Sequence, residues 1–186
     1  MIKTILVALG FLIALILLIA LVMKKSYSIT SEVIVNRPKK AVFDYIKHIK
    51  NQEKYSKWML ADPNIEIEYK GIDGTLGFVS AWQSAVKNVG VGEQEITFIQ
   101  EGNRYDVEIR FKKPFEGVSQ ATNTVEAVGD QQTKVITTFH SKTPFPMSIM
   151  IPMIKKMLKK DMDENGTNLK RILEQQLAQE NYFFPS

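Results

Sequence analysis

The chain has 186 residues, a formal net charge of +4 and no cysteine. Its length suits one domain with a real core, and 45% hydrophobic against 24% charged residues excludes global disorder. The missing thiols exclude a disulfide scaffold, a thiol nucleophile and Cys-held zinc or iron–sulfur clusters; two histidines exclude a three-His metal site, and so mild a charge makes no case for nucleic acid.

Thr4 to Met23 is an uncharged run of twenty residues. As a helix it is roughly 30 Å long, the thickness of a bilayer core. A cleavable signal peptide would have an apolar region of only about 7–15 residues and a small-x-small cleavage site. This run is longer and ends in Leu21-Val22-Met23-Lys24-Lys25, so a retained single-pass anchor is expected, with residues 4–23 in the membrane. Lys24, Lys25, Arg37, Lys39 and Lys40 outweigh Lys3, which leans the downstream domain toward the cytoplasm. Lys24 to Ser26 would be the whole tether, so residues 1–26 form anchor and linker.

In Tyr27–Asn36, Ile29, Val33 and Val35 share one parity and predict a strand. Pro38 opens a helix whose Val42, Phe43, Ile46 and Ile49 form an apolar stripe. Asn51–Leu60 predicts a second short helix, ended by the turn Ala61-Asp62-Pro63-Asn64. Strands follow: Ile65–Lys70 with alternating Ile65, Ile67 and Tyr69, then a run with Leu76, Phe78, Ser80 and Trp82 on one face. Ile96 and Phe98 mark the next, and Tyr105, Val107, Ile109 and Phe111 the one after the Gly102-Asn103 turn. Gly117–Val128 and Thr133–Ser141 complete about seven strands, paired antiparallel through short turns. Past Pro144 and Pro146 a long helix is expected, with Leu158, Met162, Leu169, Leu173 and Gln176 in one narrow arc. Asn165-Gly166 is a turn signal inside it; the stripe keeps phase across the pair, so one helix, kinked or not, is the prediction.

Strand, two short helices, six antiparallel strands and a long helix make an α+β layer architecture. The stretches VIVNRPKKAVFDYIKHIKNQEKYSKW, DP, GIDGTLGFVSAW, VGEQEI and DMDENGTNLKRIL resemble the START/birch-pollen-allergen (SRPBCC) superfamily in its polyketide cyclase/dehydrase-like branch, over about Ser28 to Gln175. The resemblance implies a helix-grip fold, a curved sheet around the C-terminal helix with an apolar cavity between them. It implies hydrophobic small-molecule ligands, lipid-like or polyketide-like, and enzymatic activity in a minority of members. Residues 27–180 would be the ligand-binding domain and 181–186 a tail.

Few residues offer chemistry. Gly71-x-x-Gly74-x-x-Gly77 lacks the start of a dinucleotide fingerprint and reads as turn glycines. Asp44 and His48, four apart on a helix, read as a solvated pair, and His140 as a strand-end surface residue. Parity points Trp82 and Tyr105 to the concave face of the sheet. Five of the eight methionines fall between Met147 and Met162, as core filling or as an adaptable apolar surface. Lys155, Lys156, Lys159 and Lys160 read as a solvated face or as a contact for anionic lipid. Asn165 falls on the line facing the sheet, where it either pairs with backbone or meets the polar end of a ligand.

The reading is a membrane-tethered, monomeric binding or transfer module for a hydrophobic small molecule, with no metal and no cofactor. The expected cavity-lining residues are Trp58, Phe78, Trp82, Tyr105, Met157, Met162 and Asn165. Two alternatives stand beside it. One is a cyclase/dehydratase-type enzyme using Tyr105, Asp161 or Asn165; the other is a chaperone-associated protein-interaction module.

Overall fold

A computed structural model describes residues 1–183, with side chains through Gln175. Residues 184–186 of the expected tail, and the side chain of Gln176, lie outside that range. Helix α1 (Ile2–Val22) is uncharged but for Lys3, nearly all of its side chains are exposed, and it is long and apolar enough to cross a membrane. Strand β1 (Ser26–Val35) follows almost at once. Thr143 N–H donates to the Lys25 carbonyl at 2.7 Å, so the free tether is shorter than the sequence suggested.

Helix α2 (Lys39–Lys47) buries Val42, Phe43 and Ile46, the stripe its spacing dictates. The single helix expected over Asn51–Leu60 is two pieces, a 3-10 segment (Ile49–Lys54) and α3 (Lys57–Leu60). Tertiary partners make the break. The Asp73 carboxylate accepts the Ile49 N–H at 2.8 Å, Asn168 donates to the Tyr55 carbonyl at 3.2 Å, and Tyr55 and Ser56 turn inward and are buried.

Strands β2 (Glu66–Lys70), β3 (Val79–Gln83), β4 (Val91–Gln100), β5 (Arg104–Lys113), β6 (Gly117–Gly129) and β7 (Gln132–Lys142) are all antiparallel. Together with β1 they form one seven-stranded sheet in the order β1-β7-β6-β5-β4-β3-β2. The architecture is the expected α+β helix grip. β4 slips register against β5 at Val91/Gly92 and again at Ile96/Phe98, irregularities that bend and twist a sheet. β3 is shorter than the alternation suggested. The chain is still looping through Gly71, Gly74 and Gly77, all at positive φ, so Leu76 is exposed and Phe78 precedes the strand.

Helix α4 (Ile151–Phe183) runs without a break through Asn165-Gly166, so the turn signal is overridden. Each residue of the pair has a tertiary reason to be there. A methyl at Gly166 would come within 3.3 Å of Val33 Cβ, so glycine lets the helix lie close on β1. Asn165 serves α3, as described below.

Charges gather on the outer face of the sheet. Arg110 donates to Glu93 at 2.8 Å, and to Glu95 and Glu108 at 2.7 Å each; Lys112 adds a bond to Glu93 at 2.8 Å. Hydrogen bonds from Lys112 and Arg110 hold the Glu93 carboxyl below its usual 4.5. A depressed carboxyl stabilises the fold above its unfolded-state pKa and loses that contribution as the pH falls through the folded-state value. Glu93→Gln should therefore flatten the acid limb of the stability profile below about pH 4.5, which denaturant titration over that range will measure.

Candidate functional site

Between the concave face of the sheet and α4 lies a cavity of about 300 Å³. Its sheet side is set by parity. Val107, Ile109 and Phe111 of β5, Ala121 of β6, and Val135 and Phe139 of β7 all project inward, with neighbours in direct cross-strand register, as in Val107↔Ala121 and Ala121↔Phe139. Leu158, Met162, Asn165, Gly166 and Leu169 of α4 close it from the other side, and Trp58 and Met59 of α3 form a wall. Trp82 closes one end. Its indole N–H donates to the Val89 carbonyl at 3.3 Å, and its ring meets Phe111 edge-on with centroids 6.1 Å apart. Glycine is required beside it, since a Cβ at Gly92 would stand 2.6 Å from the Trp82 ring and 2.8 Å from the Arg110 carbonyl.

Not one Asp, Glu, Lys, Arg or His lines this space among the described residues. Two pairs of polar lining groups satisfy each other. Gln94 Nε2 donates to Gln52 Oε1 at 2.9 Å, and Thr137 Oγ1 donates to Asn123 Oδ1 at 2.9 Å. The titratable lining groups are Tyr55 and Tyr105. Burial raises both hydroxyls above the ordinary phenol value, more so for Tyr55 beside Tyr105 and Tyr45, and for Tyr105 with Asp73 nearby, a rise that a hydrogen bond from Gln52 opposes. Both are neutral phenols at physiological pH. The Nδ2 donors of Asn123 and Asn165 keep no partner among the described residues.

The structure places Trp58, Trp82, Tyr105, Met162 and Asn165 together on this cavity. It places Phe78 and Met157 elsewhere. Phe78 is fully buried in the core, stacked on Tyr69 with centroids 5.7 Å apart, because the strand begins only after it. Met157 is 56% exposed, about 140° around α4 from Met162, on the face turned away from the sheet. His48 binds the Asp44 backbone carbonyl at 2.6 Å, while the Asp44 carboxylate pairs with Lys40; His140 binds Ser28 Oγ at 2.7 Å on the outer surface. Asp161, an acid–base candidate from sequence, is outside the cavity and paired with Lys57 at 2.8 Å.

Sequence reasoning missed the fastening of α3. Asn165 Oδ1 accepts the Lys57 backbone N–H at 2.7 Å, satisfying one of the open donors at the start of that helix. The Lys57 ammonium reaches Asp161 and, at 2.7 Å, Glu164; the hydrogen bonds to these two carboxylates push its pKa up to about 12. Asn168 holds Tyr55 from the next turn. The available signal was Asp161, Glu164, Asn165 and Asn168 at helical spacing beside the apolar stripe.

A family model described as "Polyketide cyclase / dehydrase and lipid transport" matches residues 26–174. No curated protein matches the sequence. Among solved structures, norcoclaurine synthase from Thalictrum flavum, in complex with dopamine and hydroxybenzaldehyde, is similar at a TM-score of 0.61 and 14% identity, over 84% of this chain and 91% of that one. The protein TTHA0849 from Thermus thermophilus is similar at a TM-score of 0.56 and 15% identity, over 78% of this chain and 95% of that one. Ara h 8.0201 aligns at a TM-score of 0.51 and 19% identity, over 77% of this chain and 98% of that one. Identities this low carry the fold and no more.

The role of Asn165 is directly testable. Asn165→Leu removes the acceptor for a part-buried N–H and should cost about 1–2 kcal/mol. Asn165→Asp, which keeps an acceptor oxygen, should lose less. Thermal unfolding of both variants beside the parent will rank them.

Proposed function

The chain belongs to the polyketide cyclase/dehydrase and lipid transport family, within the START/birch-pollen-allergen superfamily, and from that premise we propose that it binds or transfers a neutral, hydrophobic small molecule at a membrane surface. The observation that carries the ligand class is the cavity's lining, apolar with no charged side chain among the described residues. A buried ion there would find no counter-charge, and desolvating it would cost several kcal/mol. Apolar burial at ~25 cal/mol per Å² would supply the affinity. The unpaired Nδ2 donors of Asn123 and Asn165 favour a ligand with an acceptor oxygen, a carbonyl, ether or hydroxyl. Trp58, Trp82, Tyr105, Met162 and Asn165 are the proposed contacts.

In this reading α1 is the anchor, residues 27–180 the binding domain, and the short tether holds the cavity close to the bilayer; the lysines and arginine after α1 favour the cytoplasmic face. A cyclase or dehydratase reaction would need a cavity group that exchanges a proton near neutral pH. The lining titratable groups, Tyr55 and Tyr105, are both shifted away from that range, so the binding reading is preferred.

Ala121→Phe tests it. Ala121 is a small residue in the middle of the lining, and a phenyl group there occupies space meant for the ligand. The full chain, purified in mild detergent and extracted with organic solvent, should release a neutral apolar compound in near-stoichiometric amount by mass spectrometry. The variant should release at least about tenfold less while losing no more than about 3 kcal/mol of stability. An empty parent protein, or equal yields from both, would refute the reading.

A further inference from the structure

The end of α1 does not stop at an open linker. It packs on the 3-10 turn Met147–Met150, where Ser148 Oγ donates to the Ala20 carbonyl at 2.9 Å and both residues are fully inaccessible. Ala20 lies two residues from the end of the helix, about 3 Å in rise. With Lys25 bonded to Thr143, the chain between Thr143 and Ser148 is pinned at two points to the exit of α1.

What this pinned segment exposes is apolar. Phe145, Ile149, Met150, Met153 and Met157 are all exposed, Met153 and Met157 by more than half. Met153 and Met157 stand one helical turn apart on a face roughly opposite the Met162 and Leu169 stripe that faces the cavity. The first two turns of α4 are thus apolar on both sides, and only one side has cover. Around the uncovered side stand exposed Lys156 and Lys160, with Lys24 and Lys25 at the end of α1; neither Lys156 nor Lys160 makes an ion pair among the described residues. Acidic residues begin only at Asp161.

We propose that Phe145–Met157 is a second membrane contact, an interfacial segment lying in the headgroup boundary of the leaflet from which α1 emerges. This rests on the reading that α1 spans a bilayer. The contact with Ala20 sets the depth, since the last turn of a spanning helix sits at the hydrocarbon edge. Exposed methionines at that depth adapt to disordered acyl chains, and the lysines around them match anionic headgroups. A second copy of the chain is a poorer occupant, because it would bring the same lysines against these.

The chain has no cysteine, so single cysteines can be placed freely. Leu12→Cys, Ile149→Cys, Met153→Cys and Asp130→Cys, each labelled with a nitrobenzoxadiazole fluorophore, are made in the full chain and reconstituted in phosphatidylcholine–phosphatidylglycerol vesicles containing brominated or doxyl lipid. Asp130 lies in the turn before β7, at the far end of that strand from Thr143, about 35 Å away. The expected result is quenching at Leu12, Ile149 and Met153, with headgroup-proximal quenchers most effective at the last two, and none at Asp130. Quenching at Leu12 without quenching at Ile149 and Met153 overturns the inference and leaves the anchor standing. No quenching at Leu12 removes the anchor itself. Unlabelled Met153→Cys forming a disulfide-linked dimer in place of lipid quenching identifies a second copy as the occupant and also overturns it.

Discussion

An added methyl at Gly166 would crowd the Cβ of Val33, and the close approach of α4 to β1 that this implies decides where the cavity lies. β1 is an edge strand, and an uncovered edge leaves backbone donors and acceptors unpaired. α4 supplies partners along it. Lys170 donates to the Ile34 carbonyl at 2.9 Å, Glu174 accepts the N–H of Asn36 just past the strand at 2.9 Å, and the Ser31 hydroxyl donates to Asp163 at 2.6 Å. A helix committed to one edge of a curved sheet cannot also fill the hollow over β5, β6 and β7. That hollow is the cavity, and short side chains such as Ala121 keep it open.

The sheet partitions charge as strictly as it partitions shape. On β4 and β5, one parity carries Glu93, Glu95, Glu108 and Arg110 outward, while the other carries Gln94, Tyr105, Val107 and Ile109 inward. A register slip of one residue would bring that ionic network into the cavity, at a desolvation cost no neighbour there could offset. The outer network thus helps specify which face becomes the site, besides any small stabilisation from exposed ion pairs.

Regular alternation and helical stripes were legible in the sequence because they follow directly from backbone period. Hence the seven strands, the stripe of α2 and the inward aim of Trp82 and Tyr105 came through. Positions governed by a partner distant in sequence did not. Phe78 has the parity of Trp82, yet three left-handed glycines delay the strand until after it. Met157 resembles Met162 in type, but its place on the helix wheel turns it outward. Asn165-Gly166 reads locally as a stop. Only Val33 of β1 and the start of α3, both far back in the chain, explain why a helix keeps both residues. The 3-10 break before α3 has the same origin, in backbone groups claimed by Asp73 and Asn168.

α3 has only four residues and no fully buried side chain, yet it forms one wall of the cavity. Polar ties hold it in place, chiefly those of Lys57 to Asn165, Asp161 and Glu164. A wall fastened in this way depends on polar ties more than on burial in the core. Mobile ions screen partly exposed pairs but leave apolar burial almost untouched. Raising the ionic strength would therefore weaken the hold on this wall while leaving the apolar lining behind it nearly unchanged, so that one lysine makes the two sides of the cavity answer to different conditions.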